Sequence, residues 1–307
     1  MRICAIDVGT NTVLSLVAEV EGGEIRAVLA DEERFARLGQ GVDASGRLHP
    51  DAMDRVVDRL GAAQATARRL GAERIVIGAT SASRDAANVG DLVARVRDEL
   101  GLDYQVIAGV EEAALSFRGA LAALPDTEAA VVVDIGGGST EIVSGTVSEG
   151  VAYRTSLDVG SVRLTERHFA ERPPPPSALA AAEADVARAM ATVPKGLADG
   201  LPFVATGSVA RLFARLGGFD GEAPEVPHAV VSAWRERLAG LTPEAALAVA
   251  PDVLAGREDV AAAAVLVLDV VMRAVGADAY VATPGGLRYG LALAAAEDAG
   301  PASVRTP

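Results

Sequence analysis

Apolar residues run through the chain in short blocks, each closed by glycine, asparagine or a carboxylate. Residues 2–7 (RICAID) form a continuous apolar run of the buried-strand type. Residues 13–20 (VLSLVAEV) follow a Gly-Thr-Asn-Thr turn, and 24–35 (EIRAVLADEERF) follow Gly22-Gly23, so the chain opens with three strands joined by turns. The pattern then predicts a helix over about 50–70 with Pro50 near its start, a strand at 74–80 and an amphipathic helix at 84–100 stopped by Gly101. A strand at 104–109 and a helix at 111–123 complete this series.

The same order then restarts. Residues 129–140 (AAVVVDIGGGST) read as a buried strand and turn, and 141–147 and 150–160 add two more strands. Helices are expected at about 161–170 and 177–195, with the stiff connector 172–176 (RPPPP) between them. A strand at 202–207, a helix at 208–217, several Ala-rich helices within 228–276, a strand at 279–286 and a helix at 287–297 follow. Repetition at half-chain length implies an α/β fold of two lobes, each a mixed sheet flanked by helices, with a cleft between them. The expected boundaries are 1–121 for the first lobe and 122–289 for the second. A last helix at about 290–300 is expected to pack back on the first lobe, and 301–307 to be a frayed tail.

Length and charge narrow the function. The 307 residues suffice for two domains with buried cores. The longest apolar run is broken by Asp269, so no membrane span is predicted. Residues 1–6 lack the features of a signal peptide, and a cytoplasmic protein is expected. The net charge of −14 argues against a nucleic-acid partner and requires a local positive site for any anionic substrate. Cys4, the only cysteine, lies in an apolar run and reads as core.

Two stretches carry the chemistry. Residues 4–12 (CAIDVGTNT) and 131–140 (VVVDIGGGST) share one layout: an apolar run, an Asp, an apolar residue, Gly and small polar residues. Each Asp falls at the carboxyl end of the first strand of its half, where open α/β sheets bind ligands. Glycines after it let the backbone approach a ligand, and successive N–H groups can form an anion nest. Asp7 and Asp134 could together hold Mg2+, which commonly takes one or two carboxylates plus substrate phosphates. The alternative is a pair of hairpin turns that need Gly and Asp for conformation alone; matching positions in both halves, and the run Gly136, Gly137, Gly138, favour the ligand reading.

These two stretches resemble the phosphate motifs of the acetate/sugar kinase, heat-shock protein and actin superfamily, which implies ribonuclease H-like (actin-like ATPase) lobes. Residues 35–55 (FARLGQGVDASGRLHPDAMDR), 78–93 (GATSASRDAANVGDLV), 106–117 (VIAGVEEAALSF), 156–169 (SLDVGSVRLTERHF) and 285–293 (GGLRYGLAL) narrow the resemblance. In this order they are similar to the exopolyphosphatase/guanosine pentaphosphate phosphatase (Ppx/GppA) family, over residues 3–296. The resemblance implies a catalytic base at Glu112, in the motif Gly-x-Glu-Glu-Ala, with Glu111 structural. It implies a first phosphate loop at Gly9, Asn11 and Thr12, and a second at Gly136–Gly138 and Ser139. Asp7 and Asp134 would be the metal carboxylates, for Mg2+ or Mn2+. Glu141 matches an acidic position near metal and attacking water, and Arg84 a phosphate-contacting arginine. Asn88 is expected to orient the loop beside Arg84, while Arg163 and Arg288 match family positions that lie near substrate.

Departures are visible too. Thr10-Asn11-Thr12 stands for the usual Ser-Asn-Ser/Thr, Val110 replaces a usually polar residue, and Ser208 replaces a small turn residue in the stretch 205–212 (ATGSVARL), where related kinases approach adenine, which leaves nucleotide binding open. His49, His168 and His228 are isolated and suggest no zinc-type site. The chain resembles the short, two-domain branch of the family, for which a homodimer is habitual. The expected activity is metal-dependent hydrolysis of the terminal phosphate of inorganic polyphosphate, with guanosine pentaphosphate as the alternative substrate. An ATP-dependent small-molecule kinase and a non-catalytic polyphosphate or alarmone sensor compete with it; the Glu-Glu-Ala motif opposes the first, and retention of both Asp residues with Glu112 opposes the second.

Overall fold

The computed structural model describes residues 1–298. Two sheets are present. The first takes β1 (Arg2–Val8), β2 (Thr12–Glu21) and β3 (Glu24–Phe35) as an antiparallel meander, then β4 (Arg74–Ala79) and β5 (Gln105–Val106) in parallel with β1, in the order β3-β2-β1-β4-β5. Connecting them are α1 (Val42–Ser45), α2 (Pro50–Arg69), α3 (Ser81–Asp85) and α4 (Val89–Leu100), and α5 (Gly109–Ala122) follows. The expected helix over 84–100 is thus two. Ala86 is extended between them, and the Asn88 side chain is drawn away to the Leu48 backbone, accepting from its N–H at 2.8 Å and donating to its carbonyl at 3.2 Å. The expected strand over 104–109 is only two residues long, because it pairs on one side alone at the sheet edge.

The second sheet repeats the first. Strands β6 (Ala129–Ile135), β7 (Thr140–Thr146) and β8 (Gly150–Leu157) form the meander. After α6 (Ser161–His168) and α7 (Pro176–Met190) come β9 (Phe203–Thr206), α8 (Gly207–Leu216), β10 (Glu225–Pro227), α9 (His228–Ala239), α10 (Pro243–Val249), α11 (Pro251–Leu254), α12 (Ala261–Val275), β11 (Ala279–Ala282) and α13 (Leu287–Asp298). The order is β10-β11-β9-β6-β7-β8, the same five-strand plan plus one antiparallel edge strand, β10, which the hydrophobic pattern does not reveal in three residues. This is the two-lobed α/β architecture expected. The last two residues of the helix expected to reach 300, and the tail expected at 301–307, lie outside the described residues.

Helices α5 and α13 trade places. Helix α5 follows the first half in sequence yet covers the second sheet: Ala113, Phe117, Ala120 and Leu121 pack with Val132, Val143 and Val204. Helix α13 ends the second half yet covers the first sheet, where Tyr289, Ala292 and Leu293 meet Ile3, Ala5 and Leu16. The two helices touch through glycine. A Cβ on Gly119 would run into the Gly286 carbonyl and lie 2.7 Å from the Gly290 nitrogen, so only glycine permits this approach.

Asp269, which breaks the apolar run of α12, is 2% exposed. Its charge is matched by Arg235 and by Arg273, whose Nε donates to it at 3.1 Å. Ser232 Oγ donates to it at 2.9 Å, and His228 Nε2 lies 2.9 Å away. The buried carboxylate is therefore fully partnered, as burial of a charge requires.

Candidate active site

The two Asp-Gly turns are built alike. In the first, Gly9 N–H donates to the Thr12 carbonyl at 2.9 Å; in the second, Gly136 N–H donates to the Ser139 carbonyl at 2.9 Å. Each turn spans four residues between an antiparallel pair, from Val8 opposite Val13 and from Ile135 opposite Thr140. The pairing one step further is where the halves differ. Asp7 lies opposite Leu14, whereas Asp134 lies opposite Glu141. Directly opposed residues put their side chains on one face of a sheet, so the second half sets two carboxylates side by side where the first half sets one.

Both turns line a single cleft of about 850 Å³, together with Asp7, Asp134 and Glu112. Gly9, Asn11 and Thr12 form one edge, and Gly136, Gly137, Gly138 and Ser139 the other. The wall continues past Gly207 and Ser208 to Arg257 and Arg288. Gly207 adopts φ +78°, and a Cβ there would lie 2.7 Å from Asp134 Oδ1; only glycine lets the strand-to-helix turn pass beside that carboxylate.

Glu112 stands in the first turn of α5 and is 6% exposed. Arg84 Nη1 donates to its Oε2 at 2.6 Å and to the Ile107 carbonyl at 3.1 Å, while Arg84 Nη2 reaches Ser139 Oγ at 3.5 Å. One helical turn beyond Glu112, Ser116 Oγ donates to Asp134 Oδ2 at 3.1 Å. Thus α5, anchored on the second sheet, presents a carboxylate and a hydroxyl on one face. Glu141 is 1% exposed and accepts from Ser156 Oγ at 2.7 Å.

The electrostatics are dominated by burial of like charges. Burial pushes Glu112 up to about 7 despite Arg84, which pulls the other way, and Asp134 adds to the rise. Asp7 is held well above the usual carboxylate range by burial, then by Glu112 and Asp134, against the pull of Arg288. Glu141 is likewise held well above its ordinary value by burial, Glu112 and Asp134, and burial raises Asp134. Asp7 Oδ1 is buried with no hydrogen-bond partner. Four carboxylates with one arginine pair and an orphaned oxygen form a site that a divalent cation would relieve. Among the described residues no three His, Cys, Asp or Glu side chains converge as a ligand cage.

Arg163 and Arg288 are occupied. Arg163 donates to the Gly138 carbonyl at 2.7 Å and pairs with Asp43 and Asp85, both at 2.5 Å. Arg288, 2% exposed, grips Asp31 with two bonds of 2.9 and 2.7 Å. Glu111 is exposed. Sequence reasoning missed Ser116, Ser156, Gly207 and Arg257. The spacing of four from Glu112 to Ser116 was a usable signal; Ser156 required the register of β7 on β8, and Arg257 required the tertiary fold.

Known proteins match over nearly the whole chain. A model of the Ppx/GppA phosphatase family matches residues 16–298. Exopolyphosphatase 2 of Mycobacterium tuberculosis is 39% identical over 291 residues, covering 89% of this chain and 90% of its own length. Exopolyphosphatase 1 of Mycobacterium leprae is 31% identical over 95% of this chain and 89% of its own. A crystal structure of an exopolyphosphatase-like protein superposes with a TM-score of 0.83 at 28% identity, covering 96% of this chain and 97% of the other. The fold is shared as well by the Aquifex aeolicus Ppx/GppA family member, with a TM-score of 0.79 at 24% identity, covering 98% of this chain and 99% of the other. The paired Asp-Gly turns, the carboxylate of α5 between them and these likenesses converge: the chain belongs to the Ppx/GppA phosphatase family.

Proposed function

We propose that this protein is an exopolyphosphatase, which hydrolyses the terminal phosphoanhydride of inorganic polyphosphate by direct attack of water. The observation that carries the reading is Glu112: a nearly buried carboxylate, held by Arg84 at 2.6 Å and pushed up to about 7, facing the cleft between two phosphate-type turns. A base with a value near neutrality is suited to take a proton from water. The water oxygen bonds to the terminal phosphorus, its proton passes to Glu112, and the bridging P–O bond breaks to release the shortened chain. Backbone N–H groups of Gly137 and Gly138 and of Thr10 and Asn11 bind the phosphate oxygens, those of Gly9 and Gly136 being used within the turns; Ser139 and Arg84 orient them and offset the charge that spreads over them.

Asp7 and Asp134 would hold Mg2+ or Mn2+, and Glu141 would position water beside it. The orphaned Asp7 Oδ1 and the raised carboxylates support this assignment. When bound, such a cation neutralises phosphate oxygens and draws charge from the leaving group. The polyphosphatase names of the M. tuberculosis and M. leprae relatives favour polyphosphate over guanosine pentaphosphate. No helix of the described residues is long and apolar enough to cross a membrane.

The test is phosphate release from polyphosphate, guanosine pentaphosphate and ATP with Mg2+ and no acceptor. Release from polyphosphate, fastest of the three, is expected. No phosphate release in that assay, with ADP formed from ATP once a small-molecule acceptor is added, would replace the hydrolase by a kinase.

A further inference from the structure

The catalytic cleft does not end at the two turns. A second pocket of about 830 Å³ adjoins it, and Glu33, Ser208, Leu212 and Arg257 line both. One face of α8 supplies its wall: Ser208, Arg211, Leu212 and Arg215 follow one another at helical spacing, while Val209, Ala210, Phe213 and Ala214 turn into the core.

The arginines of this pocket have donors to spare. Arg211 reaches only Asp31, at 3.9 Å, and that carboxylate is already gripped by Arg288. Arg215 makes one long bond, 3.4 Å, to the Asp252 carbonyl. Arg257 pairs with Glu33 at 3.0 Å, yet its Nε is buried without a partner. Burial and the neighbouring Arg288 pull Arg211 below its ordinary value, against Asp31 and Glu33, which pull the other way. Three carboxylates line the pocket as well: Asp31 is held by Arg288 and Glu33 by Arg257 and Ser208, while Asp252 has no arginine partner among the described residues.

We propose that Arg211, Arg215 and Arg257 form a distal phosphate subsite, which takes inner phosphates of a chain whose terminal phosphoryl group sits at the two turns. This rests on the polyphosphate reading above and adds a determinant of chain length to it. A purine is the poorer occupant. The second pocket is lined by no aromatic side chain among the described residues, and the Phe35 ring at the junction is covered by the Arg257 guanidinium, 5.2 Å from its centroid. Planar guanidinium forks are suited to successive phosphate oxygens.

Arg211→Gln with Arg215→Gln, compared with the parent protein on tripolyphosphate and on chains of tens of phosphates, tests the idea. The kcat/KM is expected to fall about tenfold more on the long chains than on tripolyphosphate, as the loss of a charge-assisted bond to phosphate implies. Arg215→Glu, at an exposed position, should show the same length-selective loss without touching the core. An equal fall on both lengths for Arg215→Glu, or none, overturns the subsite while leaving the hydrolase standing. A parent that releases no phosphate from any chain, yet binds long polyphosphate in calorimetry through Arg211 and Arg215, keeps the subsite and removes the hydrolase.

Discussion

Glu112 is pulled in two directions at once. Arg84, 2.6 Å away, favours the ionised carboxylate, while burial and Asp134 favour the neutral acid; burial wins and the group sits at about 7. Glu112→Gln keeps the shape and the Arg84 contact but removes the base, so turnover should fall about 10²–10⁴-fold with the fold retained, as phosphate release and circular dichroism would show. The same shift sets a pH dependence of stability. The folded value of Glu112 lies above the ordinary value of about 4.3, so its contribution to stability is fully present below that value and is lost as pH rises through about 7. In chelator, thermal midpoints should therefore fall between pH 5 and 8, and Glu112→Gln should flatten that fall. Added Mg2+ should raise the midpoint more at pH 8 than at pH 5, because the carboxylates are then ionised; equal rises at both would remove Asp7 and Asp134 as its ligands. Asp134→Asn should shift the Mg2+ titration of activity to higher concentration.

Elements explain why these side chains meet. Asp7 and Asp134 could be placed from the chain alone, since a buried apolar run followed by Asp and Gly marks a strand end in either half. The helix at 109–122 and its carboxylate were likewise legible. Pairings across elements were not. Nothing in residues 150–160 marks Ser156 as the partner of Glu141, because strand register is a property of the assembled sheet. The break between α3 and α4 was hidden for a similar reason: the amphipathic pattern runs on, and the contact that ends α3 comes from Leu48, far away in sequence. The crossing of α5 and α13 is the element contact with least slack. Gly119→Ala should cost about 1–3 kcal/mol in urea unfolding, since overpacking meets backbone on the other side.

At the scale of the whole molecule, ion pairs tie the two halves together. Helix α6 reaches across with Arg163 to Asp43 and Asp85 and with Arg167 to Asp43. Elsewhere Arg37 pairs with Asp259 and Arg257 with Glu33. These ties are unequal. The Arg163 side chain is 10% exposed, that of Arg37 41%. Solvent screens the second, and Arg37→Gln should cost less than about 1 kcal/mol. Arg163→Met removes the partner of Asp85, one of two partners of Asp43 and a bond to the Gly138 carbonyl, and should cost more, about 1–2 kcal/mol, by the same urea measurement. The fold class, the half-chain repeat and the cleft were readable from periodicity, whereas the arginine ties were not, because charged residues show no period that marks their partners.

The exchange of α5 and α13 has a consequence for how the chain could be divided. A cut after residue 125 looks natural in sequence, since it falls between the two repeats. The fragment before it would keep α5 but leave Ile3, Ala5 and Leu16 bare; the fragment after it would keep α13 but leave Val132, Val143 and Val204 bare. Expressed apart, each should aggregate; expressed together, they should reassociate into a soluble, active pair, a complementation that either repeat as a self-sufficient unit would not need.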